Sequence, residues 1–311
     1  MQSFFTIHER AFGWDEIRAA AQAWGEWEAF AADTARGLAA LQYATAHRCL
    51  PASAAVQAAA NEFRYARQLV SAQEAQAWLA AWGLSANDWL AYFRRTLAKE
   101  NLAQCELPPV NPAEVERVLL AEALCSGKLG AWAERLAGRG ALVARFNGAD
   151  AVRRAEIAAL DAAFENCRRQ LLDPAALRQQ IAHNYLDWIR CDCRYLWFAE
   201  ERLAREAALC VRHDGLSLDE VAHAARAVVQ EWSFYLDELT PAARAPFVAA
   251  QRGDWLGPLA LLEGFPLLAI TGKTLPDEAD PQIRQRAETA LVGHSMKQAM
   301  NESVRWNARL A

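Results

Sequence analysis

Two thiols one residue apart, Cys191-Asp-Cys193, are the side chains of this chain best equipped for metal or redox chemistry. Cys210 and His213 follow as an i, i+3 pair in the next charged run. Two thiolates, a third thiol and an imidazole make a donor set suited to zinc or cuprous copper. The competing reading is ordinary core, because free cysteine behaves as a small hydrophobe and Ile189, Tyr195 and Trp197 alternate with these two. No Cys-x-x-Cys redox motif is present. His183, near Asp187, has the chemistry of a general base, but no nucleophile motif accompanies it and a surface histidine explains it as well. Glu62, Glu122, Glu156 and Glu165 lack the Glu-x-x-His spacing of di-iron bundles. Arg190, Asp192 and Arg194 place two guanidiniums around one carboxylate. Such a group anchors an acidic side chain or terminus of a peptide bidentately, or it closes on itself as a surface network worth little.

These residues sit in a segment that interrupts an otherwise helical chain. Trp188 to Phe198 is aromatic and β-favouring and reads as a strand. Helices are expected at Glu200 to Asp214 and, after Gly215, at Leu216 to Ala222. Val228 to Tyr235 reads as a second strand and Thr240 to Ala250 as a third helix. Arg252-Gly-Asp-Trp-Leu-Gly-Pro258 is a turn opening a hairpin that ends at Lys273. Strand alternation puts Trp188, Arg190, Asp192, Arg194 and Leu196 on one face and Ile189, Cys191, Cys193, Tyr195 and Trp197 on the other. The second, apolar set is expected under the helix that starts at Glu200, and the first set in an open, charged cleft.

Before this segment, helices are expected at Asp15 to Gln42 and Ser53 to Arg67. Ser71-Ala-Gln-Glu74 is a capping-box pattern opening a helix to Trp82, and Gly83 fits the position that ends it. Ser85 to Asn101 follows, then the proline-rich linker Leu107 to Pro112. Glu114 to Arg145, Ala151 to Leu172 and a helix from Asp173-Pro174 come next. Gln282 to Trp306 reads as one long final helix. Trp78, Trp82 and Trp89 flank the Gly83 turn and form either an aromatic cradle for peptide or interhelical core.

The chain has 311 residues, 53% hydrophobic and 23% charged, enough for one large or two ordinary globular domains. A formal net charge of −5 argues against nucleic acid as the main partner. No apolar run has the length of a membrane span, and Met1 to Arg18 carries too many charges for a signal-peptide core. Seven scattered cysteines do not form a disulfide framework, so a cytoplasmic location with reduced thiols is expected.

The order β-α-α-β-α-β-β with a Gly-x-x-x-Gly-Pro turn resembles the parvulin type of peptidyl-prolyl isomerase domain. Arg67 to Leu97, with Gly83-Leu-Ser85 between two helices and paired Arg94-Arg95, resembles the helical module of SurA-type and PrsA-type folding factors. The resemblance covers roughly residues 60–102 and 187–306. It implies an α+β, predominantly helical protein: a helical module at 1–186, a parvulin-like domain inserted at 187–273, and a C-terminal helix at 274–311 returning to the module. Parvulins lower a barrier of about 18–20 kcal/mol with two histidines at the centre of the sheet. Here the matching positions hold Arg194 and Pro266, and Ala243 stands where a large aromatic would hold the proline ring. The cleft of this degenerate domain is then Arg190, Asp192, Arg194, Leu239, Ala243 and Pro266, with Trp78, Trp82 and Trp89 as further peptide contacts.

A nearer likeness is to the parvulin-related proteins of bacterial peptide-maturation systems, which share the Arg305-Trp306 ending. It implies a chaperone-like partner of a ribosomally made precursor peptide or its modifying enzyme, with no cofactor, nucleic acid or membrane involved. The alternatives are a copper- or zinc-dependent peptide-modifying enzyme using Cys191, Cys193 and Cys210, and a residual isomerase.

Overall fold

Stop signals cut the alanine-rich runs into shorter helices than their periodicity alone predicts. In the computed structural model, which describes residues 3–259 and 264–307, the chain divides into two compact units. One is Met1–Arg169 with His294–Ala311, and the other is Gln170–Gly293.

The first unit opens with a hairpin of β1 (Phe5–Ile7) and β2 (Arg10–Phe12) that periodicity did not predict. The helix expected at Asp15 to Gln42 is two, α1 (Trp14–Ala23) and α2 (Trp27–Ala46). Gly25 divides them at φ 72°, where the Glu26 N–H reaches back to the Ala21 carbonyl. Next come α3 (Ser53–Ala66), α4 (Ala72–Ala81) and α5 (Ala86–Asn101). The Ser71–Glu74 box opens α4, and Ser85 with Asp88 makes a second box on α5. The linker then leads into α6 (Pro112–Cys125), capped by Asn111. The run expected at Glu114 to Arg145 breaks at Ser126-Gly127, giving α7 (Lys128–Asn147). The next run is also split, into α8 (Ala149–Arg154) and α9 (Ile157–Leu171). The unit's core gathers on α7, where Trp132 meets Phe30 edge-on at 5.1 Å.

The second unit begins with α10 (Pro174–His183), which Asp173 caps with proline at the first helical position. There follow β3 (Arg190–Leu196), α11 (Glu201–Arg212), α12 (Leu218–Ala225) and β4 (Gln230–Tyr235). A short 3-10 turn, Leu236–Glu238, leads to α13 (Pro241–Ala249), then β5 (Trp255–Leu256) and β6 (Leu267–Thr274). Part of the expected hairpin, residues 260–263, lies outside the described residues. The four strands form an antiparallel sheet in the order β4-β3-β6-β5. Gly257 enters the last pair at φ 109°, and a Cβ there would stand 2.6 Å from the Pro266 carbonyl, so the turn requires glycine.

The last helix, α14 (Pro281–Ser303), stops short of the predicted Trp306. In the second unit its Ile283 and Ala287 pack with Leu177, Ile181 and Trp188. In the first unit, Met296 and Met300 lie against Gly138 of α7, where a Cβ would stand 2.4 Å from the Met296 methyl carbon. Val304–Trp306 forms β7 and pairs antiparallel with β1, completing a β2-β1-β7 sheet.

Candidate functional site

The four-stranded sheet has two unlike faces, and the helices over them are the reverse of the expectation. The set Ile189, Cys191 and Cys193 packs with Phe234, Leu268 and Ile270 beneath Phe247 of α13. The helix beginning at Glu201 covers the other face, through Leu196 and Phe198. Period-two alternation separates the faces without saying which one a helix will cover. The parity of the strand's last residues does carry that information: Leu196 and Phe198 belong to the arginine set, are buried, and lead directly into α11.

Under α13 the register defines successive rows. Cys191 lies opposite Phe234, Cys193 opposite Trp232 and Ile270, and Tyr195 opposite Gln230 and Leu268, with Leu256 beyond Leu268. Phe247 closes the first row, its ring edge-on to Phe234 at 5.1 Å. Lys273 fastens the helix that carries Phe247, donating to the carbonyls of Phe247, Val248 and Ala250 at 3.0, 2.7 and 3.0 Å. Tyr195, Trp232, Leu256 and Leu259 border this core but are only partly buried. The Tyr195 and Trp232 rings meet edge-on at 6.5 Å, and the Tyr195 hydroxyl donates to the Gln230 side chain. Among the described residues β4 has a neighbour on one side only, so Trp232 stands on an edge strand.

Cys193 forms the floor. Burial pushes its thiol up to about 12, with Cys191 and Asp192 adding to the rise. Burial also raises the Cys191 thiol, against the Lys273 ammonium, which lowers it. Both thiols are therefore protonated at neutral pH and serve as apolar volume.

The opposite face carries the arginine group as closed pairs. Arg194 donates twice to Asp219 of α12, at 2.7 and 3.2 Å. Asp192 accepts from the Ser233 hydroxyl at 2.6 Å and lies 3.5 Å from Arg190. Gly272 gives Asp192 room, since a Cβ there would stand 3.0 Å from its carboxylate. The structure thus brings Arg190 and Asp192 together but places Leu239 on the α13 side. Ala243 is half-buried in the first turns of α13, and Pro266 is buried beside β6, its carbonyl accepting from the Leu259 N–H at 3.2 Å.

The proposed metal donors do not converge. Cys210 borders the core beneath α11 and α12, while Cys191 and Cys193 lie on the other side of the sheet. Among the described residues, no three His, Cys, Asp or Glu side chains stand where one ion could bind them. Trp78, Trp82 and Trp89 belong to the first unit. Trp78 and Trp89 pack around Phe63 at 5.6 and 5.9 Å, and Trp82 meets Phe4 at 5.1 Å. Trp82 and Trp89 are buried, so these rings build interhelical core. Sequence reasoning missed the Tyr195–Trp232 contact, which joins neighbouring rows, although each was readable as a strand aromatic.

Among the described residues, no helix is long and apolar enough to cross a membrane. No protein-family model matches the chain, and no curated protein matches it. A solved structure from Campylobacter jejuni, from work describing the virulence factor PEB4 and the periplasmic protein Cj1289 as two structurally related SurA-like chaperones, is similar to it. The alignment covers 98% of this chain and 99% of that one, at 9% identity and a TM-score of 0.20. At that score the likeness carries no argument.

Proposed function

We propose that this protein holds extended polypeptide segments in the manner of a chaperone, without isomerising them. The observation that carries the reading is the partly exposed aromatic pair at the β4 side of the sheet. Partly exposed Trp232 on edge strand β4 and Tyr195 on its neighbour β3 lie there, while Leu256 and Leu259 stand on the β5 side of the sheet. An added strand would gain main-chain hydrogen bonds from the edge and side-chain contacts from Trp232 and Tyr195. Isomerase chemistry finds no support at this face. Its central positions hold Cys193 and Tyr195, and the protein's nearest histidines, His183, His213 and His223, lie on or at the ends of helices rather than on the sheet.

In its finer form the reading rests on the sequence resemblance. The client is a ribosomally made precursor peptide, or the enzyme that modifies it, bound in the cytoplasm by a parvulin-like domain inserted into a helical module. Two measurements on the intact protein test this together. A proline-peptide isomerisation assay should run at the uncatalysed rate. Calorimetric titration with unfolded peptides rich in alternating apolar residues should give micromolar binding. Catalysis of the proline bond, or an absence of peptide binding, would contradict the proposal.

A further inference from the structure

The two edges of the four-stranded sheet are unlike. β5 is two residues long and runs straight into Gly257-Pro258, so it offers little backbone for another strand to pair with. β4 runs for six residues without a proline, and among the described residues its only neighbour is β3. Its side chains alternate between the two faces. Trp232 and Phe234 pack with the core closed by Phe247. Glu231, Ser233 and Tyr235 stand on the arginine face, opposite Arg194, Asp192 and Arg190 respectively.

On that second face the polar groups beside Glu231 are already committed. Arg194 gives both terminal nitrogens to Asp219, and the Ser233 hydroxyl donates to Asp192. The Tyr235 hydroxyl donates to Gln282 at 3.0 Å. Glu231 is exposed, and among the described residues its carboxylate makes no hydrogen bond or ion pair, acting on Arg194 through charge alone. A charge on an edge strand discourages indiscriminate pairing with apolar strands and discriminates among the strands that do add.

We propose that the segment captured at β4 carries a lysine or arginine between apolar residues, with the cation opposite Glu231. This inference rests on the reading of β4 as the capture edge and names the chemistry of its client. In an added strand, the residues on either side of the one facing Glu231 fall on the Trp232 face, which favours apolar side chains there. Opposite charges directly across a strand pair attract, and like charges repel. The formal net charge of −5 favours a cationic client in the same sense.

The test is calorimetric titration of the full chain with three unfolded peptides of one frame. Every second residue is apolar, and the residues between are all lysine, all glutamine or all glutamate. In about 0.15 M salt, which screens distant charges, the lysine peptide should bind most tightly and the glutamate peptide least, with several-fold steps between them. Glu231→Gln should narrow these steps, and Glu231→Lys should reverse their order. Glu62→Lys makes the same change of net charge at an exposed site in the first unit and should leave the order as it was. Equal affinity for the three peptides would overturn the inference and leave capture at the edge standing. An order that survives both Glu231 variants would do the same. Binding of none of the peptides would overturn the inference together with the reading it rests on.

Discussion

At the scale of the residue, a cysteine's surroundings decide what it does. Cys125 is pushed up to about 12 mainly by burial, with Glu122 adding to it, and Cys193 reaches about the same value. In the folded protein both are neutral, whereas Cys49 and Cys105 are exposed. Timed iodoacetamide labelling read by mass spectrometry should therefore modify Cys49 and Cys105 first. Cys125, Cys191 and Cys193 should react only after denaturation. The raised thiols also set an alkaline limit. Unfolding lets them ionise near the ordinary thiol value of about 9, so stability should be full below that pH and fall as it rises towards 12. Urea midpoints at a series of alkaline pH values check the sign. The Arg194–Asp219 pair is largely exposed, and Arg194→Ala should change stability by less than about 1 kcal/mol in the same assay. The alternation that separates cysteines from arginines was legible in the sequence. That Arg194 would already be paired was not, because Asp219 reaches it only through tertiary contact.

At the scale of the element, local signals located the helices and strands well, and long-range ones placed them. The Ser71 and Asp173 caps and the Gly253 and Gly257 turn follow from side-chain chemistry within a few residues, and all were readable. The break at Gly25 was missed because alanine-rich periodicity runs through it, leaving one glycine as the only mark. β7 was missed for another reason: Val304 to Trp306 continues a helical pattern, and pairing with β1, nearly 300 residues away in sequence, outweighs that local preference. Lys273 belongs to this scale as well, because its ammonium closes the carboxyl end of α13. Lys273→Met should cost about 2 kcal/mol in denaturant unfolding. It should also loosen the helix enough to speed amide exchange at Phe247.

At the scale of the whole molecule, the succession of strands and helices from Trp188 onward was readable, since each element is short and bounded by clear stops. The functional face was not, because a helix covering either side of a sheet leaves the same period-two pattern in the strand. The proposed site of peptide capture is the partly exposed Tyr195–Trp232 pair, which packs against the core closed by Phe247. Trp232 stands on the edge strand β4 and is partly exposed, so in the proposal it is both contact and reporter. The decisive measurement is a titration of an unfolded, alternating-apolar peptide into the protein and into Trp232→Ala, by calorimetry, with urea midpoints recorded for both. The account predicts micromolar binding to the unaltered protein and a loss of about tenfold or more in the variant, which must remain folded. Equal affinity in the two folded proteins would contradict it, as would no binding to either.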